Sequence, residues 1–287
     1  PCHDDDVWPL YPEQLEQPWL RSWTNRGTLA GRLHNDRRDG LSAPRPSVIE
    51  GIDAVVFDGS DRMVSSFLGS HPGSATIEAW VYPAAGTAPS GTVLQWGVWT
   101  VPAQVLQPAQ WQHVALVVDD GKAGLWVNGR SVAEPRSVNR GADAGARMML
   151  GAFWDGSAWS RGFRGAIAQV RVHRGALTPR QVAENIVKSD LLRPKAVWPA
   201  PGDRVVSSRR PALSWNLGIM VPGVRSDLYL GTDESEVAGA TRAGAAYQGV
   251  HASGAFRPDL APGATYYWRV DQVTEQGTVR LRSPVWS

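Results

Sequence analysis

Residues 151–163, GAFWDGSAWSRGF, set Trp154 and Trp159 on either side of Asp155-Gly156-Ser157, with Arg161 just behind. Indole faces bind sugar rings or a partner's apolar groups, and a loop between strands is where a fold displays them. The alternative is that both rings fold back onto the sheet that carries them. The chain holds 14 Trp in 287 residues, more than two small cores need, although large aromatics also fill thin sandwiches. Catalytic patterns are missing: the sequence contains no G-x-S-x-G, H-E-x-x-H, Walker A, G-x-G-x-x-G or EF-hand loop. His113 sits inside a strand pattern, where a structural histidine is the expectation. The single cysteine, Cys2, excludes an internal disulfide and a cysteine-based zinc cluster. Near a terminus it could carry a lipid, or close a C-x-x-C-H haem attachment whose first half lies outside the sequence, or be unmodified.

The elements that position these residues read as strands. In WQHVALVVDDGKAGLWVNGRSV, Val114, Leu116 and Val118 alternate with His113, Ala115 and Val117, a period of two that a strand with a buried face requires. Asp119-Asp120-Gly121 closes that run, and Asn128-Gly129 closes the next; Asn-Gly supplies the two positive-φ residues of a type I′ turn, so two successive hairpins are predicted. Trp96 and Trp99 in LQWGVW differ in parity, and on one strand only one of them can be core, leaving the other at the surface. One helix is expected: Thr178-Pro179-Arg180-Gln181 is a capping box with Pro at the first helical position, ahead of VAENIVK.

With Gly 30 and Pro 21, many Val, Thr and Trp and few long Leu/Glu/Lys runs, the composition points to an all-β chain of short strands. The formal charge is +2, from 29 basic and 27 acidic residues without a basic stripe, which argues against a nucleic-acid partner. No apolar run approaches eighteen residues, so no transmembrane segment is expected, and no signal peptide stands at the start of the sequence as written. Residues 1–17 read as an extended N-terminal arm. Trp8, Leu10 and Tyr11 in it, and Trp19 and Leu20 just after it, call for something to pack on, either the chain's own first domain or a partner. A first domain is expected over residues 18–193. The Pro-rich RPKAVWPAPGDR marks its end, and residues 194–287 form a second domain, in which Leu260, Pro262 and Tyr266 are spaced like the tyrosine corner of Ig-like sandwiches.

Together VVFDGSDRMVSSF, ATIEAWVYP, WQHVALVVDDGKAGLWVNGRSV and FRGAIAQVRVHRGALTPRQV resemble the laminin-G-like, concanavalin A-like jelly-roll family of bacterial exported proteins. SDLYLGTD with PGATYYWRVD is similar to a fibronectin type III-like module. The resemblance implies a jelly-roll β-sandwich followed by a smaller fibronectin III/Ig-like sandwich. It also implies that calcium can be held at the rim by scattered Asp, for which Asp58, Asp61 and Asp155 are candidates; Asp as a turn-former is the competing reading. Glycosidases on this fold use two carboxylates on alternate positions of a strand, about 5 to 10 Å apart, whereas Glu78 has Thr76 and Trp80 at those positions.

The fold alone does not fix function. The first expectation is a non-catalytic, exported interaction or structural subunit, periplasmic or at the cell surface. It would dock on a larger, membrane-associated assembly through the arm (Trp8, Tyr11, Trp19) and the loop (Trp154, Asp155, Trp159, Arg161), anchored, if at all, by Cys2 or by a partner. The alternative is a carbohydrate-binding, lectin-like module of a secreted or surface protein. An enzyme is not expected.

Overall fold

The computed structural model describes residues 6–8, 22–24, 32–35, 43–65, 74–86, 88–137, 147–199, 202, 211–216, 224–251, 254–274 and 280–287. The chain divides into two compact units, Pro1–Ala183 and Glu184–Ser287. Cys2, Tyr11 and Trp19 lie outside the described residues.

The first unit is all-β apart from short helical turns. Its strands are β1 (Asp6–Trp8), β2 (Ser22–Thr24), β3 (Arg32–His34), β4 (Arg45–Ile49), β5 (Ile52–Asp58), β6 (Met63–Ser65), β7 (Ala75–Pro83) and β8 (Thr92–Trp96). They continue with β9 (Trp99–Pro102), β10 (Gln112–Asp119), β11 (Lys122–Val127), β12 (Arg130–Ser137), β13 (Met148–Leu150), β14 (Phe153–Trp154), β15 (Trp159–Ser160) and β16 (Arg164–Arg174). An antiparallel sheet runs β12-β11-β10-β7-β16-β5-β4, with β1 also paired to β16, and faces a second in the order β2-β3-β6-β13-β8-β9. One core fills the space between them, including Ile77, Ala79 and Val81 of β7, Val114, Leu116 and Val118 of β10, and Trp23, Leu33, Met63, Leu94 and Leu150 from the opposing sheet. This is the two-layer sandwich that the alternation in the sequence predicts.

Both predicted hairpins form. Asp120 and Gly121 adopt φ of 42° and 77°, and Asn128 and Gly129 adopt 49° and 75°, the paired positive values of a type I′ turn. Val114 then faces Val127, and Leu116 faces Leu125, on the core side.

Trp96 and Trp99 correct the sequence reading. They lie on two strands instead of one: Gly97, at φ 58°, turns the chain, and Trp96 pairs directly with Trp99 across the β8–β9 hairpin. Cross-strand partners share a face, so both indoles enter the core, at 3% and 7% exposure.

β16 contains a bulge. The pairing with β7 slips between Ala168 and Arg171, and Gln169 takes a φ of 50°. One extra residue reverses the side-chain alternation, which is how Ile167 and Val170, three apart, both reach the core. The bulge also marks a change of neighbour. Before it Arg164–Ile167 pair with β5, and after it Val170–Val172 pair with Trp8–Asp6 of β1. Asp6–Trp8, the described part of the arm, therefore give their backbone to the chain's own sheet.

The capping box forms as read. Thr178 N donates to Gln181 Oε1 at 2.8 Å and Gln181 N donates to Thr178 Oγ1 at 3.3 Å. It opens α1 (Pro179–Lys188). Leu177 and Val182 pack with Ala115, Val117 and Trp126 on the outer face of the eight-stranded sheet. Prolines stand in both edge strands of that sheet, Pro46 in β4 and Pro135 in β12, where a missing N–H discourages pairing with another chain.

The second unit contains a three-stranded sheet, β17 (Lys195–Trp198), β18 (Leu213–Asn216) and β21 (Ala255–Phe256). A four-stranded sheet runs β20 (Tyr247–His251), β19 (Val224–Gly231), β22 (Tyr267–Thr274) and β23 (Arg280–Arg282). Trp215, Leu228, Leu230, Trp268, Val270 and Trp286 form its core. The expected tyrosine corner is present: Ala261 N donates to Tyr266 Oη at 2.9 Å. On the other face of the four-stranded sheet, Asp227 and Asp271 stand directly opposite each other. Asp227 takes Arg242 at both oxygens, at 2.7 and 2.9 Å, and Asp271 takes Arg269. Arg269 also donates to Val237 O, which takes the Ala240 N–H as well, and to Ala240 O, just past the end of α2 (Glu234–Gly239), so its guanidinium adds to the capping of the last turn.

Candidate functional site

The six-stranded sheet has an outer face, and its residues follow from register. Leu94 and Leu150 pair in the core, so their neighbours Gln95 and Met149, also paired, point the other way. The same row continues through Val64 to His34 on one side and to Thr100 on the other. Arg62 precedes the core residue Met63 and so shares this face.

The β14–β15 hairpin lies across this row. Gln95 fixes it with a side chain that behaves like a strand: Oε1 accepts from Trp154 N at 2.7 Å, and Nε2 donates to Trp154 O and to Gly97 O, both at 2.9 Å. Gln95 is buried, and a buried amide is stable only with its donors and acceptor engaged. A second tie comes from Arg62, whose guanidinium carbon lies 4.7 Å from the centre of the Trp159 ring. Trp154 and Trp159 are direct cross-strand partners with ring centroids 4.9 Å apart and planes tilted by 47°. Both rings are half-buried. They are held against the sheet through Arg62 and Gln95, and part of each ring stays open to solvent.

Asp155 organises the tip. Its Oδ1 accepts from Ser157 N, Ser157 Oγ and Ala158 N at 2.8, 2.9 and 2.8 Å. The Ala158 and Ser157 N–H groups hold its carboxyl below the usual range. In the neighbouring loop, Ser60 N and Oγ both donate to Asp58 Oδ1, and Asp58 N donates to Asp61 Oδ2 at 2.8 Å. Burial, with the Asp58 charge nearby, pushes the Asp61 carboxyl up to about 6. The segment that leaves the hairpin touches this loop through backbone: a Cβ on Gly162 would stand 1.7 Å from Gly59 O. These acids build turns. Among the described residues no group of three or more His, Cys, Asp or Glu is placed to hold a metal ion.

Glu78 lies on the other side of this sandwich, on the outer face of the eight-stranded sheet. It is 1% exposed, 2.7 Å from His173 Nε2 and 3.4 Å from His113 Nε2. Trp80 packs edge-on against His113, with ring centres 5.2 Å apart. Burial pushes the His113 imidazole down to about 4, so it is neutral near pH 7. The Glu78 carboxylate is buried between two histidines, whereas glycoside hydrolysis uses a pair of carboxyl groups flanking the substrate.

The structure thus brings together Trp154, Asp155, Trp159 and Arg161, the loop residues singled out from sequence. It adds Gln95, Arg62 and Phe153, which the sequence reading missed. For Gln95 the available signal was an amide inside the apolar run TVLQW.

Residues 90–183 match the family model described as the Concanavalin A-like lectin/glucanases superfamily, a stretch that includes β8, the β10–β11 and β11–β12 hairpins and the tryptophan loop. Several solved structures are similar. Domain 4 of AbnA, a GH43 extracellular arabinanase from Geobacillus stearothermophilus solved with arabinotriose, is 20% identical with a TM-score of 0.42, covering 62% of this chain and 96% of that one. Trypanosoma rangeli sialidase in complex with the inhibitor DANA is 11% identical with a TM-score of 0.43, covering 62% of this chain and 32% of that one. The binding domain of Paraclostridial Mosquitocidal Protein 1 is 11% identical with a TM-score of 0.45, covering 73% of this chain and 57% of that one. The similar stretch is about a third of the sialidase and little more than half of the mosquitocidal binding domain. No curated protein matches the chain.

Proposed function

We propose that the chain is a non-catalytic carbohydrate-binding module of an exported protein. The tryptophan hairpin on the outer face of the six-stranded sheet is its sugar platform, and a fibronectin III-like second unit is its spacer. The observation that carries this reading is the Trp154–Trp159 pair, only half-buried yet locked by a buried amide at Gln95 and a buried guanidinium at Arg62. Apolar rings fixed in advance at the surface cost little ordering on binding, which is what a sugar site on a rigid sheet needs. The match of residues 90–183 to a superfamily whose description names lectins supports the ligand class. That description also names glucanases, and the enclosure of Glu78 between two histidines argues for the binding side of the family.

The docking-subunit reading asks the arm to engage another protein. Its described strand, Asp6–Trp8, already pairs with β16, so no specific observation favours that reading over glycan binding. A glycan array probed with the whole chain, in calcium and in EDTA, separates the two. Binding to one class of glycan that is lost in Trp154→Ala/Trp159→Ala upholds the module. A blank array, with a stoichiometric protein recovered from the native membrane fraction, returns the function to docking.

A further inference from the structure

The tryptophan hairpin has a second side. In a two-stranded ribbon, paired residues project together and successive pairs alternate, so Phe153 and Ser160 face away from Trp154 and Trp159. Arg161, the next residue, holds a φ of 50°, the left-handed region that a residue other than glycine or asparagine rarely adopts. The conformation is fixed from below by Thr92 N, which donates to Arg161 O at 2.8 Å. Its guanidinium lies over the Phe153 ring, 4.8 Å from the centroid. Arg161 is exposed, and its guanidinium makes no hydrogen bond or ion pair among the described residues. The nearest hairpin acid, Asp155, has its Oδ1 engaged by its own turn.

A guanidinium over an aromatic ring leaves edge N–H donors for a ligand, the fork that takes a carboxylate through two parallel hydrogen bonds. A left-handed backbone that holds such a fork in place costs free energy, and a freely solvated arginine needs neither that conformation nor the ring. We infer that the hairpin selects glycans that carry a carboxylate, and that Arg161 binds that group. The inference rests on the glycan-binding reading and names the ligand within it.

The test is titration calorimetry of the whole chain with five sugars: hexagalacturonate, its methyl ester, xylohexaose, 3′-sialyllactose and lactose. At least one acid is expected to bind about tenfold or more tightly than its neutral counterpart, as a hydrogen-bonded charge pair implies. Which acid shows the preference tells a uronate from a sialate, and either upholds the inference. Arg161→Asn, whose side chain tolerates the left-handed backbone, removes the preference, read as the ratio of acid to neutral affinity in the same variant. Arg161→Lys, which keeps the charge and loses the fork, retains only a weak preference that salt abolishes. Equal affinity for acid and neutral forms, or a preference that survives Arg161→Asn, overturns the inference and leaves glycan binding standing. Failure of all five sugars together with a blank array overturns both.

Discussion

Gln95 and Trp154 are joined as two strands are joined, except that one partner is a side chain: its amide oxygen takes the Trp154 N–H at 2.7 Å and its amide nitrogen gives to the Trp154 carbonyl at 2.9 Å. Replacing Gln95 by Leu keeps the volume and leaves three backbone groups of Trp154 and Gly97 without their partner. Unfolding in urea is expected to show a loss of about 2 kcal/mol or more, together with weakened glycan binding through a hairpin that is no longer held. Unchanged stability would mean that the amide is not the clamp.

Trp154→Ala and Trp159→Ala are expected to behave differently from Gln95→Leu. The rings are only half-buried, so each truncation costs about 1 kcal/mol of stability while glycan affinity falls at least about tenfold. A variant that loses affinity only in proportion to unfolded protein would contradict this.

Gly162→Ala places a methyl group against the Gly59 carbonyl, and backbone cannot step aside as a side chain can. Thermal unfolding is expected to report a loss of at least about 2 kcal/mol, with the Asp58–Asp61 loop and the tryptophan hairpin pushed apart.

Two buried groups give the stability opposite pH slopes. His113 has a folded pKa of about 4, below its ordinary 6.5; the unfolded chain takes up that proton first, so stability falls as pH drops from 6.5 to 4. Asp61 has a folded pKa of about 6, above its ordinary 3.8; the folded chain takes up this proton first, so stability rises as pH drops from 6 to 3.8. Asp61→Asn, whose amide oxygen can still accept from Asp58 N, should therefore lose stability more steeply than the wild type between pH 6 and 4. His113→Phe should lose it less steeply. Chemical denaturation at four pH values checks both, and variants that track the wild-type profile would contradict the assignment.

What could be read from the sequence was local. The Asp120-Gly121 and Asn128-Gly129 turns, the Thr178–Gln181 capping box and the Tyr266 corner each depend on residues within a few positions of one another, and each forms as its residue types require. Trp96 and Trp99 were misread because a single Gly97 turn converts opposite parity into a shared face. The bulge at Gln169 was invisible for a related reason, since it shows only against a partner strand. Gln95 with Trp154, Arg62 with Trp159, and Glu78 with its two histidines join segments far apart in the chain. Their meeting depends on strand order and register, which alternation along one segment does not encode.

The most direct measurement is a crystal structure of the whole chain bound to the strongest ligand from the array. The account predicts a sugar ring against Trp154 and Trp159, on the outer face of the six-stranded sheet and above Gln95. A sugar seated instead on the Glu78 face, or on the second unit, would contradict it.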